Sequence, residues 1–246
     1  MAQDEDTISA LLEALTLTEK CALLSGKNMW ETTSLPKHGI RSLKTTDGSA
    51  GVRGAKWTDG SRTTFIPCGI SLAATFDPAI VHRIGEVLGS ETKSKQAHVP
   101  LAPTMNLSRS PLGVRNFENF GEDPYLTGVL ARSYITGVQS QGVGACMKHF
   151  VANDQETRRF NMDEKIDERT LREIYLRPFD IARTADPWTA MAAYPKINGL
   201  HADCSEALFR TVLREEWKYE GLVMSGLGDP ETPLDHLPNH PMSLRR

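Results

Sequence analysis

The sequence predicts an α/β fold: a parallel (β/α)8 barrel of the TIM type, incomplete at its C-terminal end. Three observations predict it. Short apolar segments alternate with helical patterns along 246 residues, as successive βα units require. Polar or charged residues recur where apolar segments end, at Asp47, Arg109 and Arg115, Lys148 and His149, and Tyr194. Barrels gather their working residues at those ends. No G-x-G-x-x-G or G-x-x-x-x-G-K-[ST] turn follows any of the segments, so a doubly wound nucleotide fold lacks its signature. A complete barrel takes about 250 residues, which makes this chain a tight fit.

The elements follow in order. "TISALLEAL" has apolar residues at helical spacing, with Thr7 as its N-cap, and "TLTEKCALLSG" continues to a stop at Gly26. "DPAIVHRIGEVLGSETK" opens on an Asp cap with Pro78 at the first helical position, and "DPYLTGVLARSYITGVQSQG" repeats that opening at Asp123 and Pro124. "DERTLREIYLRPFDIART" starts at Asp167 and is interrupted or kinked at Pro178. "SEALFRTVLREEWKYEG" starts at Ser205 and stops at Gly221. Between the helices lie "AHVPLAPTMNLS", "GVGACMKHF", "PWTAMAAYPKI" and "GLVMS". Each is short and largely apolar, as parallel strands covered on both faces are.

Composition narrows the function classes. An apolar content of 39% supports one sizeable core. Net charge is −3 with Lys and Arg dispersed, so no basic stripe points to nucleic acid. No apolar run is long enough to span a membrane. The start "MAQDEDTISALLEAL" is acidic where a secretion signal is basic, so a cytoplasmic location is expected, with export by another route left open. Cys21, Cys68, Cys146 and Cys204 are widely spaced. Buried free thiols are expected, and neither disulfides nor a zinc site.

Candidate chemistry sits at the strand ends. Asp47 lies in the glycine-rich turn "TTDGSAGVRG". It either bonds its own turn backbone or accepts hydrogen bonds from ligand hydroxyls. The long polar loop "APTMNLSRSPLGVRNFENFGEDP" carries Arg109 and Arg115, and an arginine at a mouth can clamp hydroxyls or orient a carboxylate. In "MKHF", Lys148 closes an apolar strand; lysine is seldom buried unpaired, which favours a ligand role. His149 beside it reads as structural or catalytic. In "MAAY", Met191 reads as barrel filling and Tyr194 offers a hydroxyl at a strand end. "NDQETRRF" reads as a solvated, charge-rich loop.

Together, "TDGSAGVRG", "APTMNLSRSPLGVRNFENFGEDPYLTG", "KHFVANDQETRRF", "DERTLREIYLRPF" and "MAAYPKINGLHADCSEALFRTVLREEWKYEGLVMS" resemble the N-terminal domain of glycoside hydrolase family 3, in the right order. The likeness is to β-glucosidases of fungal and bacterial type. It implies a substrate, a β-glucoside or oligosaccharide, and hydrolysis of O-glycosyl bonds that releases terminal β-D-glucose with retention. It implies neither metal nor organic cofactor. It also implies that Asp47, Arg115, Lys148, His149, Met191 and Tyr194 line the glucose subsite, with Arg53 in support. Glu118, Glu122 and Asp123 read as structural. Where the family has Gly-Gly before the second arginine, this chain has Gly113-Val114, which would shift Arg115 slightly.

The family continues "V-M-S-D-W", and the Asp is its nucleophile. Here Ser225 is followed by Gly226, and glycine cannot attack an anomeric carbon. The sequence therefore divides into a partial barrel domain, 1–225, and a divergent irregular tail, 226–246, as in a truncated or alternatively joined product. Asp229 is a poor substitute, because a displacement of about 1 Å can cost on the order of 100-fold in covalent catalysis. Little turnover is expected. The alternative is a non-catalytic glucose-binding domain or a fragment. Open barrel edges would invite self-association.

Overall fold

A computed structural model describes residues 5–54 and 60–226. Two N-terminal helices, α1 (Glu5–Ala14) and α2 (Leu17–Leu24), precede a small hairpin of β1 (Gly26–Asn28) and β2 (Glu31–Thr32). Then come β3 (Thr45–Asp47), α3 (Gly69–Ala73), α4 (Pro78–Ser94), β4 (Val99–Leu101), α5 (Pro124–Ser140) and β5 (Cys146–Phe150). β6 (Asp163–Glu164), α6 (Glu168–Thr170), α7 (Arg177–Ala182), β7 (Thr189–Ala192), β8 (Lys196–Ile197), β9 (Leu200–His201) and β10 (Leu222–Met224) complete the order.

Five strands run parallel in chain order: β3, β4, β5, β7 and β10. β3 pairs with β4, β5 with β7, and β7 with β10. β4 reaches β5 through a parallel bridge between Thr104 and Lys148 and the bond from Cys146 N to Ala102 O, 2.9 Å. Among the described residues no strand pairs with the outer edge of β10, and the sheet is an open arc. Between that edge and the Trp30–Thr45 side lies a cleft of about 970 Å³, lined by Trp30, Leu43, Phe209, Leu222, Met224 and Gly226 among others.

The pleat sorts the core into two layers. Cys146, Met191 and Met224 face the concave side, where they join Trp30, Val99, Leu101 and Leu43. Met147, Ala190 and Val223 face the helices and the larger core built around Leu88, Leu130, Ile135 and Phe179. This is the period-two alternation of a sheet with both faces covered.

The helix starts follow their caps. Asp77 accepts from Ala79 N at 2.8 Å and Asp123 from Leu126 N at 2.6 Å, each with proline just inside. Asp167 accepts from Thr170 N at 3.0 Å. Two of the helix expectations are corrected. The first helix begins at Glu5, so Thr7 lies within it and is not its cap. The second starts with a capping box, Thr16 with Glu19, and ends at Leu24, because Gly26 enters β1. The interruption expected near Pro178 is present: the helix after Asp167 passes through a π-turn at Leu171–Tyr175, with the Leu176 N–H bonded to Leu171 O at 2.8 Å, and bends at Leu176 before α7, where Pro178 sits in the first turn and its missing N–H costs nothing. A π-helical segment, Ala207–Glu216, covers the last crossover, and Ser205 Oγ accepts from Leu208 N at its start.

None of the four cysteines is in a disulfide, but of the four Cys146 alone is buried; Cys21 is exposed, and Cys68 and Cys204 are half-buried. No helix among the described residues is long and apolar enough to cross a membrane, and those residues hold no cluster of metal-ligand type.

Candidate active site

The strand ends converge as the parallel register requires. Asp47, the last residue of β3, is opposite Leu101 of β4, and Lys148 of β5 is level with Met191 of β7, itself level with Met224 of β10. The turn after Asp47 needs glycine at position 48. Its φ is +129°, and a β-carbon there would lie 1.7 Å from Gly51 O.

Lys148 Nζ donates to Asp47 Oδ1 at 3.0 Å, and Arg53 Nη2 approaches Oδ2 at 3.4 Å. The lysine side chain is 4% exposed while the Asp47 carboxylate keeps 32%. The pair is thus fixed at its base and open at the acid. Burial pushes the Asp47 carboxyl up, but Lys148 and then Arg53 outweigh it and hold the group below the usual carboxylate range. Arg53 also lies 5.6 Å over the Trp30 ring, a supporting position behind Asp47.

Arg115 reaches the same place from the loop after β4. Glu118 accepts from its Nε at 3.0 Å and its Nη2 at 2.9 Å, a bidentate grip. Glu118 Oε2 also accepts from Ser49 Oγ and Thr104 Oγ1, both at 3.0 Å, which ties the arginine to the Asp47 turn. The structural reading of Glu118 holds, as does that of Asp123, the cap of α5.

His149 is 4% exposed. Its backbone N–H donates to Asn106 Oδ1 at 2.9 Å, and its ring Nδ1 lies 3.3 Å from the same oxygen. Nε2 lies 3.3 Å from Arg115 Nη1. Burial, then the charges of Arg115, Lys148 and Arg159, hold the imidazole well below its ordinary pKa. A neutral ring with the proton on Nδ1 satisfies both contacts: Nδ1 donates to Asn106, and Nε2 accepts from Arg115. Met191 is buried in the apolar floor beneath this group.

Tyr194 closes the other side. Its ring meets Phe160 edge-on at 4.8 Å, and the Arg159 guanidinium lies 4.8 Å over it. A β-carbon added at Gly226 would stand 2.2 Å from Tyr194 Cε1. Tyr194 therefore occupies the space that a side chain at position 226 would enter. Asp229 lies outside the described residues.

The loop "NDQETRRF" is not a solvated segment, and that reading is corrected. Glu156 binds Arg115 and Arg159, and Asn153 is 4% exposed. Asp154 accepts from Leu107 N at 3.2 Å. Arg109 is not brought to the Asp47 group; it stacks 6.0 Å over the Tyr175 ring, in the neighbourhood of Asp154. Sequence reasoning missed Asn106, Glu156, Arg159 and Phe160. The contacts that bring them to the site, Asn106 with His149, Glu156 with Arg115, and Arg159 and Phe160 with Tyr194, join residues far apart in the chain, and charge in a loop carries no mark of a tertiary contact.

Asp154 makes a testable contribution to stability. Burial first, then Glu164, push its carboxyl up to about 7, against the pull of the Leu107 N–H, Arg109 and Tyr175. The folded chain thus holds a proton that the unfolded chain releases near its ordinary carboxyl pKa of about 3.9. Stability from this group is fully present at low pH and falls as pH rises toward 7. Asp154→Asn keeps an acceptor for Leu107 without the charge. Its unfolding free energy should exceed the parent's at pH 8 by more than at pH 5, the advantage changing by on the order of 1–3 kcal/mol between the two in urea denaturation. The buried His149 acts in the opposite direction in both proteins and cancels in the comparison. A gap that does not change with pH would contradict the assignment.

Residues 13–231 match the model of the glycosyl hydrolase family 3 N-terminal domain, a match that runs past Ser225. Beta-glucosidase B of Emericella nidulans is 50% identical over 235 residues, which is 95% of this chain and 28% of that protein. Probable beta-glucosidase J of Neosartorya fischeri is 48% identical over 219 residues, 89% of this chain and 25% of that one. Among solved structures, beta-glucosidase 3B of Thermotoga neapolitana, in complex with α-D-glucose, aligns with a TM-score of 0.85 at 43% identity; the match covers 90% of this chain and 34% of that one. A Kluyveromyces marxianus beta-glucosidase aligns at 0.87 and 43% identity, covering 89% and 27%. The chain therefore spans about a quarter to a third of the length of the relatives it matches.

Proposed function

The chain belongs to the glycosyl hydrolase family 3 N-terminal domain family, and from that premise we propose that it carries the glucose-recognition part of a β-glucosidase-type site. The reaction of that site would be retaining hydrolysis of a β-glucoside or oligosaccharide, with release of terminal non-reducing β-D-glucose. In the proposed roles, Asp47 accepts hydrogen bonds from sugar hydroxyls while Lys148, His149 and Arg115 surround neighbouring hydroxyls. Met191 and Tyr194 line the subsite and Arg53 supports Asp47. One observation carries this reading. A carboxylate that is one-third exposed is fixed by a lysine that is almost fully buried, with a neutral histidine and a doubly held arginine beside it. Preorganised polar groups of this kind suit polyhydroxyl ligands, because the ordering cost is met before the ligand arrives.

Retaining hydrolysis needs two carboxyls about 5–5.5 Å apart, one to attack and one to protonate the leaving oxygen. Gly226 stands where the family pattern has the attacking group, and Tyr194 fills the space above it. This favours a second reading, in which the chain binds glucose without turning over. We take residues 1–225 as a partial TIM-type barrel domain and 226–246 as a divergent tail. The edge of β10, which no other described strand pairs, would then be a place for further strands or for a second copy of the chain.

Purified chain incubated with a chromogenic aryl β-glucoside tests the catalytic half, with Lys148→Ala and Asp229→Ala as controls. No release above background is expected from the folded protein. Release that both substitutions abolish would show a complete site, with Asp229 taking the attacking part.

A further inference from the structure

One side chain joins the loop that carries Arg115 to the loop that carries Arg159. Glu156 lies in the loop after β5, and its side chain is 12% exposed. Its Oε1 accepts from Asn153 Nδ2 at 2.9 Å and from Arg115 Nη1 at 3.4 Å, and its Oε2 accepts from Arg159 Nη1 at 2.7 Å. Arg115 belongs to the loop after β4 and touches His149; Arg159 lies over Tyr194 and Phe160. Two guanidinium groups so near each other repel, and a carboxylate between them turns repulsion into a bridge. We propose that Glu156 is a positioning residue: it holds Arg159 over Tyr194, facing Arg115, and so sets the spacing of the two cations across the mouth of the pocket.

The two arginines depend on Glu156 unequally. Arg115 keeps the bidentate grip of Glu118 when Glu156 is neutralised. Glu156 is the carboxylate that Arg159 reaches among the described residues. Replacing Glu156 with glutamine preserves size and the Oε1 acceptor but removes the charge, so Arg115 stays and Arg159 is released. Tyr194 then loses the cation over its ring. A loop tie with no bearing on the pocket would instead act through stability alone.

This inference rests on the glucose-pocket reading, and its test separates the two. Glucose affinity is measured by calorimetric titration for the parent chain, Glu156→Gln, Arg159→Ala and the double variant. The arginine Nε–Hε resonances are followed by NMR in the absence of sugar. The expected result is about tenfold weaker binding in each single variant and no further loss beyond twofold in the double, because both substitutions break one unit. The Arg159 signal should become narrow and exchange-averaged in Glu156→Gln, while that of Arg115 is retained. Parent-like affinity in Glu156→Gln overturns the positioning role and leaves the pocket reading standing. So do losses that multiply in the double variant. A parent chain that is folded, shows the paired arginine signals and binds no glucose overturns the pocket reading, and the positioning role with it.

Discussion

Arg115→Ala is expected to cost about 3–5 kcal/mol of stability at neutral pH, the usual penalty for removing one member of a buried charge network. The substitution deletes more than an attraction. It strands Glu118, whose oxygens face Arg115, Ser49 and Thr104, and takes one of the two guanidinium partners from Glu156. In the parent chain burial pushes the Glu118 carboxyl up, but Arg115 and Lys148 overcome that and hold it below its usual range. A carboxyl depressed in the fold contributes stability above its unfolded pKa and loses it as pH falls. The Arg115→Ala deficit should therefore be full at pH 7 and shrink toward acid pH, as the stranded, half-buried acid takes up a proton. Adding Glu118→Gln to Arg115→Ala should recover part of the loss at neutral pH. Urea denaturation at pH 7 and pH 4 reads both effects, and a deficit below about 1 kcal/mol would place Arg115 among ordinary surface ion pairs.

Lys148→Met is expected to weaken glucose binding by about 100-fold with a much smaller effect on folding. The two outcomes differ because the partners are unequally exposed. Removing the ammonium leaves the Asp47 carboxylate one-third open to water and still within reach of Arg53, so no fully buried charge is stranded. Methionine also packs well beside Met191 and the apolar floor. Binding loses more. One charge-assisted hydrogen bond to a sugar hydroxyl is worth about 1.5–3 kcal/mol. Asp47 also loses the contact that aims it, and together these approach the roughly 2.8 kcal/mol that 100-fold represents.

Much of this site was legible in the sequence because it is written locally. A lysine that ends an apolar run has few structural explanations, and Lys148 was found that way. Asp77, Asp123 and Asp167 announced their helices through Asp and Pro placement. The order of strands followed from the alternation of apolar segments and helical patterns, and the parallel register then brought Asp47, Lys148 and Met191 to one end. What was missed is non-local. Glu156 and Arg115 are separated by 41 positions, and Arg159 meets Tyr194 only through the fold. Nothing in "NDQETRRF" distinguishes charges that pair across a pocket from charges that face water. The thiols show the converse error: composition favoured burial, yet only Cys146 lies on an inward position of a central strand. The substitution at position 226 was visible at once, but that Tyr194 covers it required the coordinates.

We propose that these strand ends form a preorganised glucose pocket independent of turnover. Calorimetric titration of the parent chain and Lys148→Met with D-glucose tests it most directly. Saturable binding to the folded parent, weakened about 100-fold in a variant that remains folded, is the predicted result. A folded parent that takes up no glucose at millimolar concentration, or binding that Lys148→Met leaves unchanged, would contradict it.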